Sequence, residues 1–286
     1  MLFRSAAVRQ VCFSPDGRLV LSCSDDKTAR LWNAATGDPA GPALAHRSAV
    51  WCAVFSPDGH RFATGADSEA SLWDTATSER IGLPLPLDRI VTAAAFTPDG
   101  TRLATAQLRS IQLFETATGQ RLGQPIPSDD VTSSLRTSPD GTRLLAASWL
   151  GTATLYDVRS GKPAAPVLQH KLKVNAAEFS PDGKMVLTFS EDGTAQVWET
   201  ATGQPLTPPL RHGDNVVCGA WSPDENLVAT GSSDGTVRLW DLSPALEPAA
   251  TMWLTAELLS TRKLQAGAIA LTNAEIEERW RRQSKR

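Results

Sequence analysis

The chain has few cysteines and no long apolar run, and both absences limit what it can be. Its four cysteines, Cys12, Cys23, Cys52 and Cys218, are scattered without a CxxC spacing, a pattern that favours reduced thiols buried in strands. No stretch approaches the roughly 18 apolar residues of a membrane span, and the opening MLFRSAAVRQ lacks the apolar core of a signal peptide. We therefore expect a cytoplasmic protein that does not enter a membrane.

An excess of positive charge is also missing. The 286 residues carry a net charge of -3, with 41% hydrophobic and 21% charged residues, which is the balance of a soluble globular protein. A sequence pI near 5.8 argues against nucleic acid as the main partner. The length could hold two average domains, but a repeat architecture of this size commonly forms a single unit.

What the sequence does contain is an internal repeat. The block SPDG occurs at 14–17, 56–59, 138–141 and 180–183, with TPDG at 97–100 and SPDE at 222–225. A second block of Trp-Asp type ends at Asn33, Asp74, Glu115, Asp157, Glu199 and Asp241. Successive copies are 41 or 42 residues apart, so the chain contains six units.

Each unit has the pattern of four strands. Ahead of the SPDG block, apolar residues alternate as in VRQVCFS from Val8, which is the period of a half-buried strand. In the block itself, Pro presets its backbone angle, Asp can bond its own backbone and Gly supplies a positive φ, which together predict a tight turn. Two further strands follow, and a Pro-containing stretch after ATG suits an outer edge strand, which needs no N–H donor.

Six in-phase copies of both blocks resemble the WD-repeat β-propeller family over about residues 3–242. The resemblance implies an all-β, six-bladed WD-repeat β-propeller in which each unit gives one blade, with strands A to D from the inside outward. One blade cannot cover its own two faces, so neighbouring blades must stack. We expect the propeller over residues 1–242 and a short helical C-terminal tail over residues 243–286.

The sequence leaves the closure of the ring open. The family usually closes its ring by completing the blade at one end with the other end of the chain, but only Met1 to Arg4 precede the first strand. We expect a ring of six blades whose last outer strand comes from those residues, from the segment that starts at Pro248, or is missing. A longer propeller that has lost its start is the alternative.

The period stops after Asp241. Residues 247–263 suit a helix with Trp253, Leu254 and Leu258 on its apolar face, and TNAE at 272–275 has the form of a capping box. We expect this tail to pack on the propeller, with docking to another domain as the alternative and, because the residues from Arg279 are basic, binding to nucleic acid as a third. The repeats and the tail also resemble bacterial WD-repeat proteins in which the propeller follows a Ser/Thr protein kinase domain, although no kinase motif is present here.

Two patterns imitate catalytic sites. GSSDG at 231–235 has the form of a serine nucleophile elbow, but it lies between two strands and no histidine follows His212. A set of His, Asp and Trp recurs at constant offsets in three units, as His46, Asp67 and Trp73, as His170, Asp192 and Trp198, and as His212, Asp234 and Trp240. The resemblance implies that each set forms a buried hydrogen-bonded network with a hydroxyl of strand B, such as Ser190 or Ser232. We expect no enzymatic activity, no cofactor, no metal site and no small-molecule substrate.

The face predicted to vary is the one that carries the D-to-A and B-to-C loops, which the resemblance calls the top. Its loops differ in charge and size between units, and such a face can distinguish partners. Trp51 and Trp149 break the repeat there, and large aromatics are typical interface anchors; packing against a neighbouring blade is the alternative. The predicted partner-binding residues are Trp51, Trp149, Arg9, Arg109, Lys171, Lys173 and Asn175.

Units three and four depart furthest from the repeat. Phe114 and Tyr156 replace the Trp, while Leu150 replaces the turn Asp and Ser128 the loop His of unit four. We expect neutral drift to be the reason, and a recognition sector formed by the two adjacent units is the sharper alternative. The sequence predicts a bacterial, non-enzymatic scaffold or adaptor that binds a protein or peptide through the top face. The alternative is a regulatory or sensory module of a larger signalling protein such as a Ser/Thr kinase.

Overall fold

The computed structural model describes residues 4–243. These residues form six antiparallel sheets, and no helix among them is long and apolar enough to cross a membrane. Residues 4–242 belong to one unit, Met1–Leu242. The prediction of an all-β fold with six blades is confirmed. The predicted tail helices, with Trp253, Leu254 and Leu258, lie outside the described residues.

Each sheet is one blade, and its strands are numbered in chain order. Blade 1 contains β1 Val8–Phe13, β2 Leu19–Ser24, β3 Thr28–Asn33 and β4 Leu44–Ala45. Blade 2 contains β5 Cys52–Phe55, β6 Arg61–Gly65, β7 Glu69–Asp74 and β8 Arg80–Pro86. Blade 3 contains β9 Ala93–Phe96, β10 Arg102–Gln107, β11 Ser110–Glu115 and β12 Arg121–Pro127.

The second half of the chain repeats the arrangement. Blade 4 contains β13 Thr132–Thr137, β14 Arg143–Ser148, β15 Thr152–Asp157 and β16 Leu168–Gln169. Blade 5 contains β17 Val174–Phe179, β18 Met185–Ser190, β19 Thr194–Glu199 and β20 Leu210–Arg211. Blade 6 contains β21 Val216–Trp221, β22 Leu227–Ser232 and β23 Val237–Asp241. Within each blade, strands that follow one another in the chain are hydrogen-bonded neighbours.

The SPDG block closes the first hairpin of each blade. In blade 1, Ser14 Oγ donates to Asp16 Oδ1 at 2.6 Å and accepts from the backbone N–H of Leu19 at 2.9 Å. Gly17 adopts the predicted positive φ of 70°. The other five blades repeat the Ser or Thr to Asp hydrogen bond. This end of the blades, the bottom face, is therefore nearly uniform.

Apolar side chains fill the space between successive blades. We call the side of a blade that faces the next blade in the chain its trailing face, and the opposite side its leading face. Between blades 1 and 2, Leu21 and Leu31 of the trailing face pack with Phe55 and Phe62 of the leading face. Four further clusters join blades 2 to 3, 3 to 4, 4 to 5 and 5 to 6. Stacking therefore covers both faces of blades 2 to 5.

The first and last blades each keep one uncovered face. On the leading face of blade 1, Val8, Val11 and Phe13 are 45%, 54% and 66% exposed, and on the trailing face of blade 6, Val237 and Leu239 are 77% and 61% exposed. Among residues 4–243, no hydrophobic cluster joins blade 6 to blade 1. A closed ring of six would bury both faces, so the described residues do not make the closing contact.

Within the described part of the chain, blade 6 has three strands. Met1–Phe3 and the segment from Pro248, two of the predicted sources of a fourth, lie outside that part. The free cysteines follow the same division between interior and end. Cys52 is buried between blades, whereas Cys218 is exposed. The prediction that Cys218 is buried is wrong, because only a following blade would cover its place in β21.

Candidate protein-binding face

The top face carries the turns between the second and third strands and the connections between blades. Its turns differ in length. In blade 2 the Ala66 N–H donates to the Glu69 carbonyl, so only Asp67 and Ser68 form the turn, and in blade 3 only Leu108 and Arg109 lie between the paired residues. The second residue of each turn, Ser68 or Arg109, has a positive φ. In blade 4 the turn has three residues, Trp149, Leu150 and Gly151. A turn that is one residue longer presents its side chains differently, so the top face is irregular where the bottom face is uniform.

A hydrogen-bonded network lies beneath this face in blade 5, with Thr188 at its centre. The Thr188 hydroxyl accepts from Trp198 Nε1 at 2.8 Å and lies 2.7 Å from His170 Nε2. His170 Nδ1 is 3.3 Å from Asp192 Oδ2, and the same carboxylate oxygen accepts from the backbone N–H of Lys171. The four side chains tie the incoming loop to the second and third strands.

Blade 6 repeats this network. Thr230 accepts from Trp240 Nε1 at 2.7 Å and lies 2.7 Å from His212 Nε2. Asp234 Oδ2 lies 3.6 Å from His212 Nδ1 and accepts from the backbone N–H of Gly213 at 2.8 Å. Blades 5 and 6 therefore contain the same hydrogen-bonded network at the same place. A catalytic site would be expected once, so this repetition indicates a structural role.

The hydroxyl at the centre is not the one that the sequence pattern suggested. Ser190 donates to the Leu172 carbonyl and Ser232 to the Asp214 carbonyl, so both hold the loops rather than the Trp. The hydroxyl that meets the Trp lies two residues earlier in the strand, at Thr188 or Thr230. Two residues of a strand span about 6.6 Å, which puts the later serine out of reach of the indole.

Blade 2 has a reduced network, and the prediction for Asp67 is wrong. Thr64 accepts from Trp73 Nε1 at 2.8 Å and lies 3.3 Å from His46 Nε2. Asp67 is exposed in the turn, because the turn of blade 2 is one residue shorter than that of blade 5 and its carboxylate no longer lines up with the imidazole. The acid nearest to His46 Nδ1 is instead Glu69, at 3.9 Å.

Burial keeps these imidazoles neutral. Desolvation lowers the pKa of His46 to about 4, helped by the charge of Arg80. Desolvation also lowers the pKa of His170 and outweighs the opposing effect of Asp192. The pKa of His212 is lowered for the same reason. The GSSDG stretch is likewise structural, because the Ser232 hydroxyl accepts from the backbone N–H of Asp234 in a hairpin turn.

Blade 1 replaces the histidine by an arginine, which sequence reasoning missed. Arg4 lies ten residues before Ser14, the same offset that separates His46 from Ser56. Its guanidinium is paired with Asp26 at 2.7 Å and donates to Ser22 Oγ at 3.1 Å. Ser22 in turn accepts from Trp32 Nε1 at 2.7 Å. The constant offset was the signal that could have revealed this residue.

Blades 3 and 4 lack the network. In blade 3, Gln107 Oε1 accepts from the backbone N–H groups of Asp88 and Arg89 and so replaces the missing turn Asp. In blade 4, the buried Ser128 hydroxyl has no hydrogen-bond partner, and Tyr156 is 5% exposed. Blade 4 therefore keeps an aromatic residue in its core, but it lacks the hydrogen-bonded network that joins this residue to the top-face loop in blades 5 and 6.

Trp149 projects from the turn that has lost this support. Its indole is 53% exposed, and Leu150 beside it is 61% exposed. Lys173, from the following loop, places its Nζ 4.9 Å from the centroid of the indole ring. The same Nζ is 3.5 Å from Glu191. We call this group, with Leu172, the blade 4 corner: Trp149, Leu150, Leu172 and Lys173.

Leu172 is a member that sequence reasoning missed. It is 54% exposed, and its carbonyl oxygen lies 2.9 Å from the place that a Cβ on Gly151 would occupy. Gly151 has a φ of 83°, so only glycine allows the turn to approach the loop this closely. The close approach places two exposed apolar loops side by side, and nothing in the sequence spacing of Leu172 indicates that.

Trp51 is placed differently. It is half-buried, its Nε1 is buried without a hydrogen-bond partner, and the Arg9 guanidinium lies 4.5 Å from the ring centroid. Arg9 is itself held by two hydrogen bonds of 2.6 Å to Asp25. The ring is thus covered by an anchored cation, and Trp51 offers less free surface than Trp149.

The remaining predicted contact residues do not form one site. Asn175 donates to Asn215 Oδ1 and to the Val216 carbonyl, so it links blade 5 to blade 6. Arg109 is exposed on the short turn of blade 3, and Lys171 is exposed next to Leu172. Among residues 4–243, no three His, Cys, Asp or Glu side chains are grouped so that they could hold a metal ion.

Comparison with known proteins separates blades 1, 2, 5 and 6, which have a polar network, from blades 3 and 4, which lack it. The family model described as WD domain, G-beta repeat matches residues 3–33, 43–74, 161–199 and 203–241. The matched repeats end with the Trp strands of blades 1, 2, 5 and 6. The repeats that end with Phe114 and Tyr156 are unmatched.

Two known proteins are similar to this chain. An uncharacterized WD repeat-containing protein of the cyanobacterium Synechocystis sp. is 40% identical over 60 residues, which cover 21% of this chain and only 17% of that relative. The crystal structure of the computationally designed Ika8 protein aligns with a TM-score of 0.73 and 23% identity over 84% of this chain and 72% of that chain, and it shows the fold alone. The chain therefore contains four repeats of the WD-repeat family, whose propellers commonly mediate protein interactions and are generally non-enzymatic.

Proposed function

We propose that the protein is a non-enzymatic adaptor or scaffold that binds a protein or peptide at the blade 4 corner of its top face. The observation that carries the proposal is the exposed indole of Trp149, held beside a lysine on a short hydrogen-bonded turn. Tryptophan is over-represented among residues that dominate binding energy. An indole already fixed in the free protein loses little conformational freedom on binding.

The patch has the composition of a binding site. Trp149, Leu150 and Leu172 are each more than half exposed, and they lie on two loops whose backbones approach closely at Gly151. A contiguous apolar patch on a soluble protein marks an interaction site more often than isolated apolar residues do. The turn is held by backbone bonds from Trp149 N–H to the Val131 carbonyl and from Leu150 N–H to Ser148 Oγ.

The charges around the patch favour a partner segment that combines an apolar and an acidic residue. Lys173 lies over one face of the indole, and Lys171 is exposed beside Leu172. Glu191 neutralises part of this charge, since it lies 3.5 Å from the Lys173 ammonium. A carboxylate of the partner would compete with Glu191 for Lys173, so we expect the acidic residue to contribute mainly to the rate of encounter.

The test uses four immobilised proteins to capture binding partners from a cell lysate. They are the wild type and the variants Trp149→Ala, Trp51→Ala and Lys184→Ala. Lys184 is a matched control because its side chain is 83% exposed on the bottom face. We expect a partner that is retained by Lys184→Ala and by Trp51→Ala and is lost at least tenfold with Trp149→Ala. A partner that all four proteins retain equally would refute the assignment to this corner.

Thermal unfolding checks that the loss is specific. Because Trp149 is half exposed, replacing it should change stability by no more than about 0.5 kcal/mol. A Lys173→Glu variant then separates the two parts of the site. It should slow association and reduce or reverse the weakening of binding by salt, while the apolar contact persists.

A further inference from the structure

The inner strands of blades 4 and 5 carry an ion pair where the other blades have apolar residues. The first strand of each blade packs beside the first strand of the next blade, so these strands line the axis of the array. Near the bottom end of this strand, blade 4 has Arg136 and blade 5 has Glu178. The same place in the other blades is taken by Cys12, Val54, Ala95 and Ala220. Apolar residues therefore meet the needs of the fold here, and the charged pair calls for a different explanation.

The pair is held loosely. Arg136 Nη2 lies 3.6 Å from Glu178 Oε1, and the two side chains are 42% and 33% exposed. This distance is too long for a hydrogen bond, and an ion pair this exposed contributes little to stability. Arg136 Nη1 donates to the Leu135 carbonyl at 3.0 Å. Within residues 4–243, the other guanidinium N–H groups and the Glu178 carboxylate take part in no hydrogen bond, so both groups can bind a ligand.

The Arg136 guanidinium reaches toward the middle of the array. Burial raises the pKa of the Cys12 thiol to about 11, while a backbone hydrogen bond at Phe55 and the charge of Arg136 oppose that rise. Cys12 lies in blade 1 and Arg136 in blade 4, with blades 2 and 3 between them along the array. The charge of Arg136 therefore acts across the space that the inner strands enclose.

A pocket of about 400 Å³ lies beside the ion pair on the bottom face. We call it the blade 5 pocket, and its lining includes Arg136, Pro139, Glu178, Pro181 and Trp221. Pockets that bind small molecules have volumes of about 300 to 1,000 Å³ and combine apolar walls with a few polar groups. The blade 5 pocket is near the lower end of that range, which suits a ligand of the size of an amino acid.

A small residue in blade 4 makes room for the pocket, and the turns around it are fixed. Thr137 is part of the lining, whereas the other blades have an aromatic ring at this place, in Phe13, Phe55, Phe96, Phe179 and Trp221. Thr137 Oγ1 donates to the Phe96 carbonyl of blade 3 at 2.7 Å, so its side chain is directed away from blade 5. The Asp182 N–H donates to Glu225 Oε1 at 2.5 Å and joins the bottom turns of blades 5 and 6. Walls that are already in place need little ordering on binding.

The two charges of the pocket select a zwitterion. An anion attracted by Arg136 is repelled by Glu178, which is 3.6 Å away, and a cation attracted by Glu178 is repelled by Arg136. A ligand with one charge of each sign close together is attracted by both groups. An α-amino acid carries its carboxylate and its ammonium on one carbon atom, and an apolar side chain would contact Pro139, Pro181 and Trp221. We therefore propose that the blade 5 pocket binds a free apolar α-amino acid, with its carboxylate at Arg136 and its ammonium at Glu178.

This ligand goes beyond the proposed function, which places a protein partner on the opposite face. It also differs from the sequence-based expectation that there is no small-molecule substrate. The residues that line the pocket come from three blades and share no motif in the sequence, and the amino acid is proposed as a ligand that is bound unchanged.

The test measures binding of free ligands to the wild-type chain by titration calorimetry. Each apolar standard amino acid is titrated, and the one that binds most tightly is compared with two analogues, which lack its ammonium group or its carboxylate. For L-phenylalanine these are phenylpropanoate and phenethylamine. The amino acid should bind saturably and each analogue at least tenfold more weakly, because one charge-assisted contact is lost and the charge that remains unpaired repels the ligand.

Two variants test which residue meets which charge. Alanine already holds this place in blades 3 and 6, so Arg136→Ala and Glu178→Ala should fold. Arg136→Ala should bind the amino acid at least tenfold more weakly than the wild type does, and it should bind the amine analogue more tightly, because the guanidinium no longer repels the ammonium. Glu178→Ala should show the same loss for the amino acid and a gain for the carboxylate analogue. A purely structural role of the pair would not produce this exchange of preference.

Arg102→Ala and Trp149→Ala are the controls. Arg102 is exposed at the bottom end of β10 and does not line the blade 5 pocket, and Trp149 belongs to the blade 4 corner. Both variants should bind the amino acid as the wild type does. Failure of this proposal and failure of the proposed function are therefore separate results.

Three results would overturn the proposal. If the wild type binds no apolar amino acid saturably, the pocket is not a site for this class of ligand. If the analogues bind as tightly as the amino acid, the pocket does not recognise both charges. If Arg136→Ala and Glu178→Ala both keep wild-type affinity, the ligand binds elsewhere. Should circular dichroism show that a variant is unfolded, the comparison of the three ligands on the wild type decides.

Discussion

Blades 5 and 6 carry nearly the same residues at the same places but differ in how much of them is buried. Val197 and Leu239 both precede the Trp of the third strand, yet Val197 is 1% exposed and Leu239 is 61% exposed. Their internal hydrogen bonds are almost identical. The difference shows that a repeat fixes the inside of a blade by itself, whereas the burial of its faces depends on the neighbour.

The largest expected contrast is in thiol reactivity. Cys52 and Cys218 hold the same place in blades 2 and 6, but only Cys218 is exposed. Burial raises the pKa of the Cys52 thiol, and the thiolate is the reactive form. Cys218 should react with a disulfide reagent on the order of a hundredfold faster than Cys52, whose reaction requires local opening. Mass spectrometry of timed samples measures both rates, and equal rates would contradict the contrast between end and interior.

Core truncation comes next. Leu155 in blade 4 is fully buried and holds the same place as Leu239. Leu155→Ala should lower the free energy of unfolding by about 2 to 5 kcal/mol, because it leaves a cavity between blades 4 and 5. Leu239→Ala should lower it by less than about 0.5 kcal/mol. Denaturant titration of both variants measures the difference, and similar losses would show that blade 6 has a covered trailing face in solution.

The pH dependence of the free energy of unfolding tests whether His46 is buried in the interior. The folded pKa of His46 is lowered to about 4 by burial, whereas an unfolded histidine titrates near 6.5. The unfolded chain therefore takes up a proton first, and the free energy of unfolding should fall by about 2 to 3 kcal/mol as pH drops from 6.5 to 4. Above pH 6.5 this residue adds no dependence.

The control for that prediction is the exposed His60. Denaturant titrations between pH 7 and 4 should show a weaker pH dependence in His46→Gln and an unchanged one in His60→Gln. If the free energy of unfolding depends on pH in both variants as it does in the wild type, His46 is more accessible to protons than its burial implies.

The smallest expected effect is a difference in stability between two variants. One loses a hydroxyl of the intact network in blade 5, and the other loses the corresponding hydroxyl in blade 3, where the network is missing. Thr188→Val removes the oxygen that faces Trp198 Nε1 and His170 Nε2, which should cost about 1 to 3 kcal/mol because buried groups lose their partners. Thr105 holds the same place in blade 3 and makes one long hydrogen bond, to the Gln112 carbonyl at 3.4 Å. Thr105→Val should cost less than about 1 kcal/mol, and thermal or denaturant unfolding measures both. Equal costs would mean that the network adds no stability of its own.

Much of the fold could be predicted because the same turn block and strand pattern occur six times in the sequence. The SPDG block specifies a turn through proline, aspartate and glycine in adjacent places, and the turns have that form. Alternating apolar residues specify strands, since successive side chains of a strand point to opposite faces of the sheet. The network residues His170, Asp192 and Trp198 could be assembled from constant offsets, whereas Asp67 could not. A turn shorter by one residue changes the direction of its side chains.

The candidate site was predictable only in part. Trp149 breaks the repeat, so comparison of the copies finds it. Leu172 does not break any pattern, and it joins the blade 4 corner because Gly151 lets two loops meet. The same spacing rules that suggested Asn175 could not show that its amide links two blades. Contacts between units are absent from a pattern that describes one unit.

The sequence alone determined the number of blades, the turn chemistry and the set of side chains inside each blade, because these depend on residues within about 42 positions of one another. Tertiary structure decided which faces are covered, and it brought the loops of Trp149 and Leu172 together. It also left Phe13 and Leu239 exposed, although their counterparts in the inner blades are buried. The physical reason is that burial belongs to a pair of surfaces, and a sequence repeat specifies only one member of the pair.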